Sequence, residues 1–438
     1  MIWNPAAERM AAPARETLQW ERLRVTLAWA AERVPFYAER LRGRAVRSLG
    51  DLATLPFTRK SDLREHYPFG LVAVPRGELA RIHASSGTKG KPTVVGYTAG
   101  DLDVWREVMA RVLVAAGARA GDTLHNAFGY GLFTGGIGFH DGAERIGLSV
   151  VPASSGNTAR QILLLQDLRP AGLCATPSFA LHIAETLAAQ GGDARALGLR
   201  YGLYGAEPWT EGLRGALEGA FGAPAYDIYG LSEIVGPGVA GECEARAGLH
   251  VADDHFLPEI IEPATGAVLP AGAQGELVLT TLTKRALPLI RYRTGDITTL
   301  ADAPCACGRT SARIARIKGR ADDMLIVKGV NLYPSEVEST LLGVAELLPH
   351  YQLVVDRNEH AGAAGSAGGA RSGGRRALRG LRSRPPAAAG PGPARARAAG
   401  HGHWSGRGGH AAAAPHAAAL GRQGGARGRE KRRRAAVD

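Results

Sequence analysis

The sequence predicts an α/β protein built on a large domain of mostly parallel, covered sheets. Between residues 100 and 230, short apolar strands alternate with helical segments, an order that produces parallel strands covered by helices. From Leu249 to Leu300, short strands are separated by turn residues, which favours a small antiparallel, β-barrel-like subdomain. With 438 residues, the chain has room for two or three domains of about 150 residues each.

Composition places the chain among globular proteins. Apolar residues make up 45% of it, which is enough for a core. Four cysteines are too few for a disulfide scaffold in so long a chain, which predicts a reducing, cytoplasmic location. Charges run through the first 23 residues, and no apolar run reaches about 20 residues, so the sequence predicts neither a signal peptide nor a membrane-spanning helix.

The net charge of +12 is concentrated at one end. Residues 361–438 contain 16 lysines and arginines against two acids, a net charge of +14, so residues 1–360 carry −2. A nucleic-acid-binding interpretation would therefore depend on this tail alone.

Within the first 120 residues, the sequence predicts helices before and after one polar loop. Residues 14–42 have the apolar spacing of a helical hairpin, which Pro35 interrupts. Thr58 can cap a helix that starts near Ser61, and a further amphipathic helix begins at Asp101.

The next segment supplies the alternating strands and helices. The predicted strands are 123–128, 148–152, 171–175, 199–204 and 225–229. The helices between them are 159–168 and 210–221, one that the loop 129–136 opens, and one that starts at Pro177-Ser178. Ligands of such sheets bind beyond the carboxyl ends of the strands. The glycine-aromatic loop 129–136 and the segments 205–208 and 229–233 fall at those positions.

Later segments complete the prediction. Strands are expected at 257–261, 275–281 and 289–292, a domain boundary at 320–323, then a strand at 324–327 and a helix at 334–342. We expect a large domain over 1–319 and the start of a small α+β domain over 320–359. Residues 360–438 are rich in Ala, Gly and Arg and are expected to be disordered.

Residues 84–98, ASSGTKGKPTVVGYT, combine the residue types that bind phosphate. Glycines let backbone N–H groups face an anion, while hydroxyls and lysines add donors and charge. The stretch is not a Walker A loop, because serine (Ser85) and not glycine stands five positions before Gly90, and Pro92 and not Ser or Thr follows Lys91. Pro92 favours an extended continuation and therefore a hairpin. A polar β-turn without a ligand remains the alternative.

Four further motifs follow in order. They are GAEP at 205–208, DIYGLSE at 227–233, YRTGD at 292–296 and GRADDMLIVKGVNLYPSEVE starting at Gly319. Tyr229 could stack on a base, Glu233 could hold Mg²⁺, and Asp296 could bind ribose hydroxyls. Each motif by itself is more typical of a turn or a surface loop.

Together and in this order, the motifs resemble the adenylate-forming superfamily of acyl-CoA synthetases, and most closely the phenylacetate–CoA ligases. The resemblance runs from about Tyr37 to Arg357 and includes AFGYGLFTGGIGFH and TTLTKRALPLIRYRTGD. Lys89 departs from the threonine that is usual in the family. The resemblance implies a two-step reaction, in which a carboxylate and ATP give an acyl-adenylate and coenzyme A then displaces AMP.

The resemblance also implies a role for each matching residue. Glu233 binds Mg²⁺, Arg320 approaches the nucleotide, and Asp322 is the hinge of the small domain. The residues implied to bind the nucleotide are Ser85, Ser86, Gly87, Thr88, Lys89, Gly90, Lys91, Gly205, Ala206, Glu207, Pro208, Asp227, Tyr229, Gly230, Asp296 and Arg320.

The pocket for the acid is expected to be a flat apolar slot for an aryl ring. Its residues would be Phe128, Tyr130, Phe133, Gly205 and Pro237. The alternative is that these side chains are ordinary members of the core.

Cysteines and a histidine suggest a separate metal site. Cys243, His250, Cys305 and Cys307 provide a Cys₃His set, a usual group for structural Zn²⁺. Their spacing is not that of a standard zinc finger, so four unrelated buried groups remain the alternative.

The resemblance stops near residue 358. It implies a small domain that ends close to a lysine acting in adenylation, but after Lys328 the next lysine is Lys431. The abrupt change to Ala, Gly and Arg is typical of translation in the wrong frame. We therefore expect adenylation by this chain to be impaired. A ligand-binding pseudoenzyme and a nucleic-acid binder that uses the tail are the other hypotheses.

The expected partners follow from this interpretation. They are a small aryl acid, ATP with Mg²⁺, and coenzyme A, and no membrane partner is expected. A nucleic-acid partner is disfavoured because the tail lacks interleaved aromatic residues. The sequence does not determine which aryl acid is bound. It also does not determine the oligomeric state, for which a homodimer is one option.

Overall fold

A computed structural model describes residues 1–85, 91–301 and 303–321 of the chain. After residue 321 it describes only the backbone of four short strands. Met1–Trp404 forms one compact unit, and Ser405–Asp438 is a second unit that lies outside the described residues.

Nine α-helices lie within the described residues. They are α1 (Pro5–Glu8), α2 (Ala12–Arg33), α3 (Pro35–Arg40), α4 (Lys60–Glu65), α5 (Ala99–Ala115), α6 (Gly135–Ile146), α7 (Thr158–Leu168), α8 (Pro177–Ala189) and α9 (Glu211–Phe221). The expected helical hairpin over 14–42 corresponds to α2 and α3. The helix expected from Asp101 starts two residues earlier, because the Thr98 hydroxyl accepts the Asp101 N–H and caps it. Among the described residues, none of the helices has the length and apolar character needed to cross a membrane.

The structure describes strands from the hairpin at residues 81–97 to the segment 394–398. They are β1 (Arg81–Ala84), β2 (Val94–Tyr97), β3 (Thr123–Asn126), β4 (Ser149–Val151), β5 (Gly172–Ala175), β6 (Tyr201–Gly205), β7 (Ala225–Leu231), β8 (Gly236–Glu242), β9 (Leu249–Val251), β10 (Phe256–Ile261), β11 (Gln274–Thr281), β12 (Tyr292–Ala301), β13 (Arg313–Ile314), β14 (Gly319–Arg320), β15 (Leu325–Val327), β16 (Val330–Leu332), β17 (Tyr351–Val355) and β18 (Ala394–Ala398).

One twelve-stranded sheet organises the fold. Its order is β10-β11-β12-β13-β9-β8-β7-β6-β5-β3-β4, with β14 paired to β12. Strands β4, β3, β5, β6 and β7 are parallel, as the alternation of strands and helices predicts. The α/β class and the large sheet are confirmed.

The antiparallel strands belong to this same sheet. Strand β12 is ten residues long and pairs with β11 and β14 along its first part and with β13 at its end. Because β13 continues through β9 and β8 to β7, hydrogen bonding joins the expected barrel-like segment to the parallel strands.

One predicted strand is wrong. The segment 289–292 was expected to be extended, but β12 begins only at Tyr292. Arg291 has a φ of 48°, which no strand accommodates. Its guanidinium is buried against Glu259 at 3.0 Å, and this ion pair holds the turn.

The hairpin expected around the phosphate loop is confirmed. Strands β1 and β2 pair antiparallel, with Ala84 opposite Val94. The Ser85 N–H donates to the Thr93 carbonyl at 3.0 Å. The loop residues 86–90 lie outside the described residues, but both of its ends are fixed.

The core fills the two faces of the sheet. One buried cluster packs around Tyr97, Trp105 and Phe139, and a second lies beneath α8 and α9 around Trp209 and Phe221. These clusters hold the carboxyl ends of the parallel strands together, where the functional residues collect.

Two predictions concern the chain beyond residue 321. The helix expected at 334–342 lies outside the described residues. Within the tail, the structure describes the backbone of β18, which pairs parallel with β17. The boundaries 1–319, 320–359 and 360–438 stay predictions.

Candidate active site

Three of the expected nucleotide residues form one hydrogen-bonded chain. The Tyr229 hydroxyl donates to Asp296 Oδ2 at 2.6 Å, and Arg320 donates to Asp296 Oδ1 at 3.1 Å. Pairing of β12 with β14 places Asp296 opposite Arg320. Burial and the nearby Asp296 carboxylate raise the pKa of Tyr229 well above its ordinary value, so its hydroxyl remains a donor. The structure therefore brings together the base, ribose and phosphate candidates.

Glu233 lies buried at the turn after β7. Its side chain is 5% exposed, and Lys60 Nζ is 3.2 Å from Oε1. Among the described residues, Oε1 accepts no hydrogen bond. A buried carboxylate oxygen that accepts no hydrogen bond and has a partly exposed ammonium beside it suits a hard divalent cation. The residues present therefore fit Mg²⁺ at Glu233.

A second lysine fixes the backbone of the same turn. Lys284 Nζ donates to the Glu233 carbonyl at 2.9 Å and lies 4.6 Å from the centre of the Tyr97 ring. Burial lowers the pKa of Lys284 to about 7, although Asp101 and Glu233 act in the opposite direction. Sequence reasoning missed both Lys60 and Lys284. The available signal was their position in two polar stretches, RKSD and TKR, between apolar residues.

The GAEP segment forms a tight turn after β6. A Cβ on Gly205 would lie 2.4 Å from the Ile228 carbonyl oxygen, so only glycine lets β6 approach β7. Ala206 has a φ of 68°, a strained value that marks functional turns. Glu207 accepts the Ser178 N–H at 2.7 Å, so its carboxylate caps α8. Pro208 is exposed.

Two other expected nucleotide residues are committed to packing. Asp227 is buried, accepts Trp209 Nε1–H at 2.9 Å and pairs with Arg316 Nε at 3.3 Å. A Cβ on Gly230 would lie 2.0 Å from the Gly236 carbonyl oxygen, so this residue permits the irregular pairing of β7 with β8. Both residues shape the strand that carries Tyr229, and their contact with a nucleotide stays a prediction.

The phosphate loop is described only at its ends. Ser85 Oγ is buried and makes no hydrogen bond with a described residue, while Lys91 lies 5.1 Å from the centre of the Tyr67 ring. The expected contacts of Ser86, Gly87, Thr88, Lys89 and Gly90, and the hinge role of Asp322, fall outside the described residues.

The five residues expected to line the acid pocket have different surroundings. Phe128 is buried and stacks on Phe139, with ring centres 5.0 Å apart, whereas Phe133 is 46% exposed. The Pro237 carbonyl accepts Trp105 Nε1–H at 2.9 Å. Gly205, as described above, lies at the end of β6. Their grouping into one slot stays a prediction.

Tyr130, the remaining pocket candidate, is held by a polar chain. Asn126 Nδ2 donates to the Tyr130 hydroxyl at 2.7 Å, and that hydroxyl contacts His140 Nδ1 at 3.1 Å. His140 Nε2 in turn contacts Glu144 at 3.1 Å. Asn126 and His140 therefore hold the Tyr130 hydroxyl from two sides.

The Cys₃His set assembles in space. The ligand atoms of Cys243, His250, Cys305 and Cys307 all lie within 4.8 Å of one another. The Cys243 and Cys305 sulfurs are 3.8 Å apart, and Cys307 Sγ is 3.4 Å from His250 Nε2. Tetrahedral Zn²⁺ with Zn–S bonds of about 2.3 Å separates its sulfurs by about 3.8 Å. The four residues therefore fit zinc.

The His250 imidazole of this cluster is ready to bind a metal, whereas the Cys243 thiol must first lose its proton. Burial lowers the pKa of His250 to about 3, so its imidazole is neutral and Nε2 can bind a metal. Burial raises the pKa of Cys243 to about 12, which leaves a protonated thiol until a cation binds. His250 Nδ1 contacts the Ser311 hydroxyl at 3.2 Å, and such an outer partner orients a ligating histidine.

Comparison with protein families identifies the class. Residues 22–282 match the family described as AMP-binding enzyme, and residues 329–363 match the AMP-binding enzyme C-terminal domain. A solved 2-hydroxyisobutyryl-CoA ligase, crystallised in a postadenylation state, has 31% identity and a TM-score of 0.77. The match covers 82% of this chain and 78% of that one. The class is that of adenylate-forming acid–thiol ligases, which use ATP and coenzyme A.

Curated relatives narrow the class. The phenylacetate-coenzyme A ligase of Thermus thermophilus is 54% identical over 82% of each chain. The phenylacetate-coenzyme A ligase of Escherichia coli is 50% identical over 79% of this chain and 80% of that protein. The chain therefore belongs to the phenylacetate–CoA ligase family of the adenylate-forming superfamily.

Proposed function

We propose that the substrate is phenylacetate or a close aryl acid, and that the site joins it to coenzyme A through an acyl-adenylate. The observation that carries this proposal is the 54% identity to the Thermus thermophilus phenylacetate-coenzyme A ligase. The chain Tyr229–Asp296–Arg320 in the large domain supports it, because it offers donors and an acceptor to one nucleotide.

The first half-reaction makes the adenylate. A carboxylate oxygen of the acid forms a bond with the α-phosphorus of ATP, and the bond from that phosphorus to the bridging oxygen breaks, releasing pyrophosphate. Asp296 orients the ribose, and Arg320 faces the negative charge on the phosphates. Glu233 would hold Mg²⁺, which offsets the charge of the triphosphate when bound.

The second half-reaction transfers the acyl group. The thiolate sulfur of coenzyme A bonds to the acyl carbon, and the bond from that carbon to the phosphate oxygen breaks, so AMP leaves with the electron pair. Adenylation makes this possible because AMP is a far better leaving group than hydroxide.

Adenylation by this chain is proposed to be slow. The lysine that the family places near the end of its small domain has no counterpart between Lys328 and Lys431. We attribute the abrupt change of amino-acid composition after residue 358 to a shifted reading frame. Reading the other frames of the gene downstream of that codon tests this, because a strand pattern followed by a lysine should reappear.

A ligand-binding pseudoenzyme is the second candidate function. The same missing lysine favours it, since the large domain could bind ATP without turnover. Pyrophosphate release with phenylacetate and ATP separates the two candidates. Slow release favours an impaired ligase, and ATP binding with no release at all favours the pseudoenzyme.

A structural Zn²⁺ and a cytoplasmic location complete the proposal. The Cys₃His geometry supports zinc. The four free thiols agree with a reducing compartment.

A further inference from the structure

Lys60 reaches the active site from outside the motifs that define the family. Its ammonium lies 3.2 Å from Glu233 Oε1, while its side chain is 41% exposed against 5% for Glu233. The pair thus joins a buried carboxylate to a cation that still has access to solvent. Burying a carboxylate without a partner is costly, and in this structure Lys60 supplies a cation at Oε1 while Lys284 adds a favourable Coulomb interaction.

The backbone beneath Lys60 is firmly placed. Thr58, two residues earlier, donates its N–H to the Arg291 carbonyl at 3.0 Å and accepts the Arg293 N–H at 2.9 Å. The Thr58 hydroxyl donates to the Ile290 carbonyl at 2.7 Å. These bonds tie Lys60 to the beginning of β12, the strand that carries Asp296. The start of the side chain is therefore fixed, while the four-carbon stem beyond it has rotatable bonds and the side chain is 41% exposed.

The position of the Lys60–Glu233 pair indicates what displacement of the Lys60 ammonium would achieve. Lys60 Nζ lies 3.2 Å from Glu233 Oε1, so it competes with any cation that binds this oxygen. Mg²⁺ prefers oxygen ligands and brings its phosphates with it, so ion and ammonium cannot neutralise the same carboxylate oxygen together. Once displaced, an ammonium on a flexible stem would be attracted to the negatively charged phosphates.

We propose that Lys60 is a placeholder cation that exchanges with magnesium. It neutralises Glu233 in the free protein, gives up the carboxylate when ATP and Mg²⁺ bind, and then contacts the phosphates. This inference rests on the magnesium role proposed for Glu233. It assigns the large domain a phosphate-binding lysine outside the loop of residues 85–91, separate from the one that the small domain is expected to supply.

The exchange predicts two effects of opposite sign for Lys60→Met. Without nucleotide, removing the competing ammonium should tighten binding of Mn²⁺, a spectroscopic substitute for Mg²⁺, by about tenfold. With nucleotide, losing a phosphate contact should weaken binding of ATP and Mg²⁺ by about tenfold. A variant that is merely damaged would lose affinity in both measurements.

The test measures Mn²⁺ binding by electron paramagnetic resonance and ATP·Mg²⁺ binding by calorimetry, both without the acid, so no turnover is required. Lys60→Arg should stay close to the wild type in both, and Arg59→Met, an exposed neighbour, should change neither. Unchanged or weaker Mn²⁺ binding by Lys60→Met overturns the exchange. Tighter Mn²⁺ binding without any loss of ATP·Mg²⁺ affinity overturns the transfer to the phosphates.

The variant Glu233→Gln distinguishes failure of the Lys60 exchange from failure of the magnesium role proposed for Glu233. If Glu233 is the ligand, the variant should lose Mn²⁺ binding, and adding Lys60→Met should not restore it. If Glu233→Gln binds Mn²⁺ as the wild type does, the magnesium role of Glu233 fails, and the exchange fails with it.

Discussion

At the scale of single residues, the clearest success of sequence reasoning is the grouping of Tyr229, Asp296 and Arg320. They come from three separate motifs, yet the structure joins them by hydrogen bonds of 2.6 and 3.1 Å. The roles of these residues come from the family resemblance, because Tyr229 lies within β7 and Asp296 within β12, and no motif by itself predicts the contacts between them. Lys60 was not predictable in this way, because the polar stretch RKSD does not indicate a partner that lies 173 positions away along the chain.

The Tyr229 hydroxyl is expected to orient Asp296 toward ribose. Tyr229→Phe should weaken ATP binding about tenfold, because a hydrogen bond to a charged group contributes about 1.5–3 kcal/mol. Calorimetric titration with ATP checks this. Tyr226→Phe on the opposite face of β7 is the matched control and should bind ATP normally. Equal affinity in Tyr229→Phe and the wild type would remove Tyr229 from the nucleotide site.

Asp227 is expected to make stability depend on pH. Burial raises its pKa from 3.8 to about 6, although Arg316 and Trp209 partly oppose this. Between these values the folded chain keeps a proton that the unfolded chain has lost, so its stability falls as pH rises through the window.

The shift of about two pKa units corresponds to roughly 3 kcal/mol. Asp227→Asn cannot titrate, so its free energy of unfolding should rise relative to the wild type between pH 4 and 6. Urea unfolding across that range measures the difference. Parallel curves for the two proteins would contradict the assignment.

At the scale of elements, sequence predicted the β1–β2 hairpin and the parallel strands but misplaced the start of β12. Pro92 and the β-branched run after it indicated the hairpin correctly. The segment 289–292 has the apolar pattern of a strand, but the tertiary ion pair between Arg291 and Glu259 imposes a turn. Such a pair forms between distant parts of the chain, and no local propensity reports it.

The Cys₃His cluster is also an element-scale feature, because it brings the residue after β8 and the middle of β9 together with the turn at 305–307. Cys305→Ser should abolish stoichiometric zinc and lower the melting temperature by roughly 2–5 °C, since the metal would clamp three segments. Metal analysis and thermal unfolding measure both effects. Cys174→Ser, a buried thiol outside the cluster, is the control and should keep its zinc. A purified wild type without zinc after growth in zinc-containing medium would contradict the site.

At the scale of the whole molecule, the alternation of strands and helices predicted the α/β class, and composition predicted where the pattern ends. The sequence did not reveal that antiparallel and parallel strands form one sheet. That connection depends on β12 pairing with different partners along its length, which strand patterns alone do not encode. The family match to residues 329–363 covers much of the segment in which the sequence predicts a small domain, and the boundaries of that domain stay predictions.

The central claim is that the large domain can bind and activate an aryl acid, while the stretch after residue 358 lacks the lysine that speeds adenylation. Replacement of the C-terminal segment tests this claim as a gain of function. Replacing residues 358–438 with the corresponding segment of the Thermus thermophilus relative should raise the rate of adenylation. The same graft without its terminal lysine is the control and should remain slow.

Pyrophosphate release from ATP and phenylacetate, measured beside that relative, is the most direct test. We expect the chain to bind ATP but to release pyrophosphate about 100-fold or more slowly than the relative, because a missing charge at the reacting phosphate costs that order of rate. The graft should recover most of the difference. Release at the rate of the intact relative, unchanged by Lys431→Met, would contradict the account.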